Sequence, residues 1–166
     1  GIIRNFIEDK QYDEIIKKAI LNHNKDALDI PDNLTPRELL HTKIIRDSDK
    51  IDILNLLTFE KKETAWEKAD LSDDVISDEI YKEFMEQKRI NYGHRKSSAD
   101  VLVGHFAYVF DFNFSESLEL VREKNYFEKI YKRFEFNNLE TIEKYKQIYK
   151  RVIEYIDKVL ESTSIT

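Results

Sequence analysis

Residues 138–161 read NLETIEKYKQIYKRVIEYIDKVLE. Leu139, Ile142, Tyr145, Tyr149, Val152, Ile156 and Val159 recur there in steps of three and four. Those steps return side chains to one face of an α-helix. Lys and Glu fill the positions between, as expected for a solvated outer face. The stretch predicts a long helix that lays one apolar stripe on a helical body. The same stripe is also a candidate seam for a homodimer, although its tyrosines and short length suit a coiled coil poorly.

Working outward, the same period recurs upstream. Gln11 to His23 carries Tyr12, Ile15, Ile16, Ala19 and Ile20 on one face, with Asp13 and Glu14 in the first turn, where acids complement the helix dipole. Residues 25–33 read as a loop that Ala27, Leu28 and Ile30 pin to the body. Thr35-Pro36-Arg37-Glu38 is a helix start on three agreeing signals: a Thr N-cap, Pro at the first helical position and Glu completing a capping box. That helix is expected to run to about Leu57. A shorter helix around Trp66 follows. Ser72 or Asp73 can cap the next, which carries Ile76, Ile80 and Phe84 at four-residue spacing. Residues 89–98 read as a loop around Gly93. Phe106, Tyr108, Phe110, Phe112 and Phe114 alternate like a strand, but no second segment offers a partner, so a helix is expected there too. Residues 118–134 read as helix in one or two pieces.

Composition agrees with an all-α fold. The chain has 166 residues with 3 Gly and 2 Pro, too few for a sandwich or barrel that turns every ten residues or so. It has no cysteine, which excludes a disulfide scaffold, a thiolate zinc site and a cysteine nucleophile. Net charge is −6, which disfavours a nucleic-acid partner. No apolar run approaches the ~20 residues of a membrane span, so no membrane partner is expected. With no signal peptide visible, the cytoplasm is the expected compartment.

The chemistry-bearing stretch is Lys43-Ile44-Ile45-Arg46-Asp47-Ser48-Asp49-Lys50-Ile51-Asp52, three carboxylates inside an apolar helix. On a helical wheel Asp47 falls in the stripe of Leu40, Ile44, Ile51 and Leu54, while Asp49 lies opposite, between Ile45, Asp52 and Leu56. A buried carboxylate is costly unless it binds a cation or accepts several hydrogen bonds. The residues alone leave two readings open: a metal or catalytic carboxylate, with Asp47 ahead, or ion pairing with Arg46 and Lys50. His23, at a helix C-terminus, is the second candidate.

Together, Ala19-Ile20 through His23-Asn24-Lys25 and the Lys43–Asp52 segment resemble the HD-domain metal-dependent phosphohydrolase superfamily. The resemblance implies a helical core that binds a divalent metal (Mn, Fe, Co, Ni or Zn) through a His, a later His-Asp doublet and a final Asp. That final Asp maps onto Ser48-Asp49-Lys50-Ile51, so the resemblance selects Asp49 as the metal ligand. Some members bring a His at the position of His23 to the metal or the phosphate. Lys25, Arg46 and Lys50 become candidates to neutralise substrate phosphate, with a phosphorylated small molecule or nucleotide as the expected partner. Thr58-Phe59-Glu60, Phe110-Asp111-Phe112-Asn113-Phe114 and residues 138–161 extend the likeness to one uncharacterised branch.

The departure is large. No His in the chain precedes Asp: His23 is followed by Asn, His41 by Thr, His94 by Arg and His105 by Phe. The chain also opens Gly1-Ile2-Ile3 without Met, with Ile2, Ile3, Phe6 and Ile7 already at helical spacing. The expectation is therefore the C-terminal part of such an enzyme: residues 1–57 the rest of an HD-type core, residues 58–166 a helical extension in the same domain, and the fragment itself inactive. The competing expectation is a noncatalytic interaction or regulatory domain that keeps the scaffold without a complete metal site. Among the other histidines, His41 reads as surface, His105 as a hydrogen-bonded core residue, and His94 as part of a basic loop with Arg89, Arg95 and Lys96 that could touch a phosphate. Asp100 is expected to pair with a basic group.

Overall fold

The capping pair at Thr35 forms as its spacing requires. Thr35 N donates to Glu38 Oε2 at 2.8 Å and Glu38 N donates to Thr35 Oγ1 at 3.3 Å, so two of the orphan amides at this helix start are satisfied reciprocally. The computed structural model describes residues 2–25, 30–61, 70–87 and 90–163. The expected anchors Ala27 and Leu28, the expected Trp66 helix and Arg89 lie outside them. The fold is all-α: the described residues contain seven α-helices and no strand. None of these helices is long and apolar enough to cross a membrane. The chain divides into two compact units, Gly1–Lys50 and Ile51–Thr166, with the division inside a helix rather than after Leu57.

In the first unit, α1 (Asp13–Asn22) follows two short 3-10 turns, Ile2–Asn5 and Lys10–Tyr12. Helix α2 (Pro36–Phe59) begins in this unit. Lys18 Nζ lies 2.8 Å from Glu38 Oε1, and Arg37 stands 5.5 Å over the Tyr12 ring, so the start of α2 is tied to α1. Helix α2 buries only part of the stripe its sequence suggests: Leu54 and Asp47 are buried and Ile51 partly so. Leu40 and Ile44 are 46% and 44% exposed, whereas Thr42, Arg46 and Lys50, also four apart, are buried.

The second unit is built on α7 (Leu139–Thr163). It contacts α3 (Asp78–Met85), α4 (Ser98–Phe106), α5 (Ser115–Glu123), α6 (Tyr126–Tyr131) and a 3-10 turn, Ala107–Asp111. The buried line of α7 is Thr141, Tyr145, Ile148, Val152, Ile156 and Leu160, rotated slightly from the expected stripe, so that Leu139 and Ile142 are left exposed. Tyr145 meets Phe106 and Phe136 edge-on at 5.5 and 5.1 Å, arrangements that suit the aromatic quadrupole.

The alternating aromatics after Val101 are explained by a change of pitch. Helix α4 ends at Phe106 and the 3-10 turn continues the chain. A 3-10 turn has three residues per turn. Phe106 and Val109 therefore both point into the core, while Phe110 packs on Phe84 at 5.1 Å and on Tyr155 at 4.9 Å. Helices α5 and α6 are separated at Asn125, which adopts φ 54° and ψ 38°, a left-handed conformation that Asn tolerates better than most residues.

Helix α3 starts later than Ser72 or Asp73 would place it, with Ser77 as N-cap. Ser72 is used in an Asx turn instead, its N–H donating to Asp70 Oδ1 at 2.9 Å. Ile76 N donates to Thr141 Oγ1 at 3.3 Å, and Lys144 Nζ reaches Ile76 O at 3.1 Å and Asp78 Oδ1 at 2.6 Å. Burial alone would lower the Lys144 pKa, but its bonds to Asp78 and Glu140 outweigh that and raise it.

Burial pushes His105 down to about 4, with the nearby Arg95 charge acting in the same direction. A folded-state value below the unfolded 6.5 means that the unfolded chain takes up a proton the folded chain refuses. Stability is then unaffected above pH 6.5, falls as pH drops toward 4, and loses at most about 3 kcal/mol by this route. The thermal midpoint of the protein should fall more steeply between pH 6.5 and 4.5 than that of His105→Gln. Equal slopes would remove His105 as the cause.

Candidate functional site

Helix α1 ends at Asn22, leaving its last carbonyls without intrahelical donors. His23 Nδ1 meets Ile20 O and Lys25 N donates to Asn22 O at 3.4 Å, and Arg46 serves the carbonyls that follow. Its Nη1 donates to Lys25 O, with longer contacts to His23 O at 3.4 Å and Asn22 O at 3.5 Å. The guanidinium is 2% exposed, and a cation at a helix C-terminus is favoured by the dipole as well as by the hydrogen bonds. Lys50, 7% exposed, stands one turn further on, with Nζ 3.5 Å from Arg46 O.

The structure thus brings the main chain of His23 and Lys25 to the Arg46 guanidinium at the end of α1, and Lys50 lies one turn further along α2. Asp49 follows Arg46 by three residues and belongs to the same side of α2. It is half-buried, whereas Asp47, two residues away and about 160° round the helix, is the buried carboxylate. Arg46, expected as a substrate contact, is engaged with main-chain carbonyls, and Lys25 presents an exposed side chain beside them.

The His23 ring carries a defined tautomer. Nδ1 lies 2.6 Å from Ile20 O. A carbonyl oxygen only accepts, so Nδ1 holds the proton and the Nε2 lone pair is left for another partner. Metal-ligating histidines are oriented in this way, with the second nitrogen bonded to a carbonyl or carboxylate. An imidazole nitrogen and a carboxylate fit a divalent transition metal. Among the described residues, no group of three or more His, Asp or Glu side chains converges as a metal site would require.

Asp100 behaves differently from the expected ion pair. It is fully buried, and its carboxylate accepts from Ser77 N at 2.9 Å, Ser77 Oγ at 3.0 Å and Lys96 N at 2.8 Å. Ser97 Oγ caps the helix at Asp100 N (3.1 Å) and itself donates to Val75 O at 2.8 Å. His94 pairs with Glu83 at 2.6 Å, and Lys96 pairs with Glu79, whose carboxyl is held below its usual range by that bond.

The Arg46 clamp was missed in the sequence reading, and no local signal carries it: the carbonyls it serves lie 21 to 24 positions away. The sequence signal for the Asp100 junction was available as Ser97-Ser98-Ala99-Asp100, a capping-box spacing at a helix start.

Comparison with family models, with curated proteins and with solved structures returns no match.

Replacing Arg46 by Met keeps the aliphatic bulk and removes the donors. Losing a charged donor to buried carbonyls should cost about 2–3 kcal/mol. Urea unfolding followed by circular dichroism measures it, and a change below about 0.5 kcal/mol, the range of ordinary surface substitutions, would show that the α1 terminus does not depend on this clamp.

Proposed function

We propose that the chain is part of a metal-dependent phosphohydrolase of the HD-domain type, acting on a phosphate ester such as a nucleotide. In this reading His23 Nε2 and Asp49 contribute one side of a divalent-metal site. The observation that supports it most is the His23 tautomer: Nδ1 is bonded to Ile20 O, and the free lone pair lies at the end of α1 that Arg46 joins to α2. A divalent ion bound there would polarise a phosphoryl oxygen and activate water. Imidazole and carboxylate suit Mn, Fe, Co, Ni or Zn.

The chain's own groups have separable tasks. Ile20 O fixes the ring of His23. Arg46 holds the His23 and Lys25 main chain in place. Lys25 and Lys50 provide the positive charge for a phosphate group. Two candidate ligands do not complete a metal site, so in this reading the remaining ligands come from chain outside these 166 residues, and the chain alone is inactive toward phosphate esters.

The second reading, a noncatalytic helical interaction domain, draws on a different observation. In Gly1–Lys50 the apolar side chains of Phe6, Ile20, Leu21, Leu40 and Ile44 are exposed at 82%, 52%, 67%, 46% and 44%. Large apolar side chains left exposed in such number are what contact with another protein surface would use.

Titration calorimetry with manganese, cobalt, nickel and zinc ions separates the two. Under the first reading the full encoded protein binds one of these metals and hydrolyses p-nitrophenyl phosphate. Asp49→Asn and His23→Gln should each weaken metal binding by about 10-fold or more, the range seen when a metal site loses a supporting contact. Asp47→Asn should leave binding unchanged. If Asp47→Asn loses the metal and Asp49→Asn keeps it, the ligand assignment is wrong. If neither variant matters and no metal binds, the interaction-domain reading stands.

A further inference from the structure

We propose that Arg95 is the anion-binding group of a separate site, built on residues 91–95 and α4, which takes the oxyanion group, phosphate or carboxylate, of a small acidic ligand. The site lies within Ile51–Thr166 and does not rest on the metal reading.

The turn that carries Arg95 is fixed by its own hydrogen bonds. Asn91 Oδ1 accepts from Gly93 N at 2.9 Å, and Arg95 N donates to Tyr92 O at 3.3 Å across the 3-10 turn Tyr92–His94. Side chains three apart on a 3-10 turn eclipse one another. The Arg95 guanidinium carbon accordingly stands 4.0 Å over the Tyr92 ring, a cation–π contact that restrains the group.

Gly104 receives it on the other side. A Cβ at Gly104 would overlap Arg95 Nη2 and stand 3.0 Å from its guanidinium carbon. Gly inside a helix costs about 1 kcal/mol relative to Ala, and the chain has only 3 Gly in all. The seat for the guanidinium is therefore made by a residue the helix would not otherwise favour.

Charge balance around the turn is uneven. His94 has Glu83 and Lys96 has Glu79. Arg95, between them, has no carboxylate partner among the described residues. Its Nε is buried and meets no acceptor, while the residue as a whole is only half-buried. A planar guanidinium held in one orientation presents parallel N–H donors that match two oxygens of a phosphate or carboxylate. Its orientation is already set, so the ordering cost of binding is reduced.

The test uses proton–nitrogen correlation spectra of the whole chain, titrated with inorganic phosphate and separately with acetate, at constant ionic strength held with sodium chloride. Saturable shifts of the Arg95 Nε–H and the Gly104 amide are expected with at least one of them, and the stronger binder identifies the ligand group. Arg95→Gln should raise Kd about 10-fold, the equivalent of one charge-assisted hydrogen bond near 1.4 kcal/mol. Gly104→Ala should do the same while leaving every charge in place, because it displaces only the end of a flexible side chain. Arg95→Lys, which keeps the charge but not the fork, should also weaken binding and serves if Gly104→Ala fails to fold. If neither anion saturates, or if Gly104→Ala and Arg95→Lys bind as tightly as the original chain, Arg95 is a packing residue and the proposal fails.

Discussion

Asp100 carries a carboxylate with no exposed surface, and three donors converge on it from two separate loops. A buried carboxylate is tolerable when hydrogen bonds replace its hydration. Here that requirement organises the chain around it. Ser77 must stand where its N–H and hydroxyl both reach Asp100, and this sets the first residue of α3. Lys96 must present its N–H, and this sets the approach to α4. Ser98 N donates to Asp74 Oδ2 at 3.0 Å, repeating the link in the opposite direction. Two loops that bury Leu71, Ile76 and Ile90 are thus also joined by a few polar atoms, and the helices they lead into bury Ile80, Phe84, Leu102 and Phe106.

The same economy operates in Gly1–Lys50 with the opposite charge. Arg46 is as buried as Asp47 and nearly as buried as Thr42, and its donors answer carbonyls that α1 leaves open. A helix that turns Thr42, Arg46 and Lys50 inward cannot bury Leu40 and Ile44 equally well, since the two sets lie on different sides of one cylinder. The exposure of Leu40 and Ile44 goes with turning Arg46 toward the end of α1. In both units a buried ionic group is matched to main-chain donors or acceptors, and this fixes where helices start and stop.

What could be read in advance divides along the same line. Helix α7 was legible because its signal is a period, and the start of α2 because Thr35, Pro36 and Glu38 are neighbours in sequence. The start of α3 was not, because Ser77 takes its place from a carboxylate 23 residues away. The aromatic run after Val101 was ambiguous because alternation and a three-residue turn share positions: Phe106, Phe110 and Phe112 suit a strand, and Phe106 with Val109 suits the observed turn. For the candidate site, His23 and Asp49 were legible as chemistry-bearing residues, but the His23 tautomer depends on where Ile20 O points. The wheel put Asp47 in the middle of an apolar stripe and Asp49 on a second apolar side; of the two Asp47 is buried and Asp49, which the resemblance selects, is half-buried. Burial and ligation are separate questions, since a metal ligand must be reachable by the metal.

The Arg46 clamp also limits what any chemistry at the end of α1 can use. Swinging the guanidinium toward a phosphate would withdraw its hydrogen bonds from the carbonyls of Asn22, His23 and Lys25, of which Asn22 O keeps the Lys25 N–H at 3.4 Å, and a carbonyl left unsatisfied out of water costs about 1–3 kcal/mol. Its charge is therefore structural: it serves the main chain at the end of α1. Lys25 differs, since its side chain is exposed. Lys50 is held close to the helix by Arg46 O. A guanidinium tied to the main chain of His23, beside an exposed ammonium, separates the group that positions the imidazole from the group whose charge faces solvent.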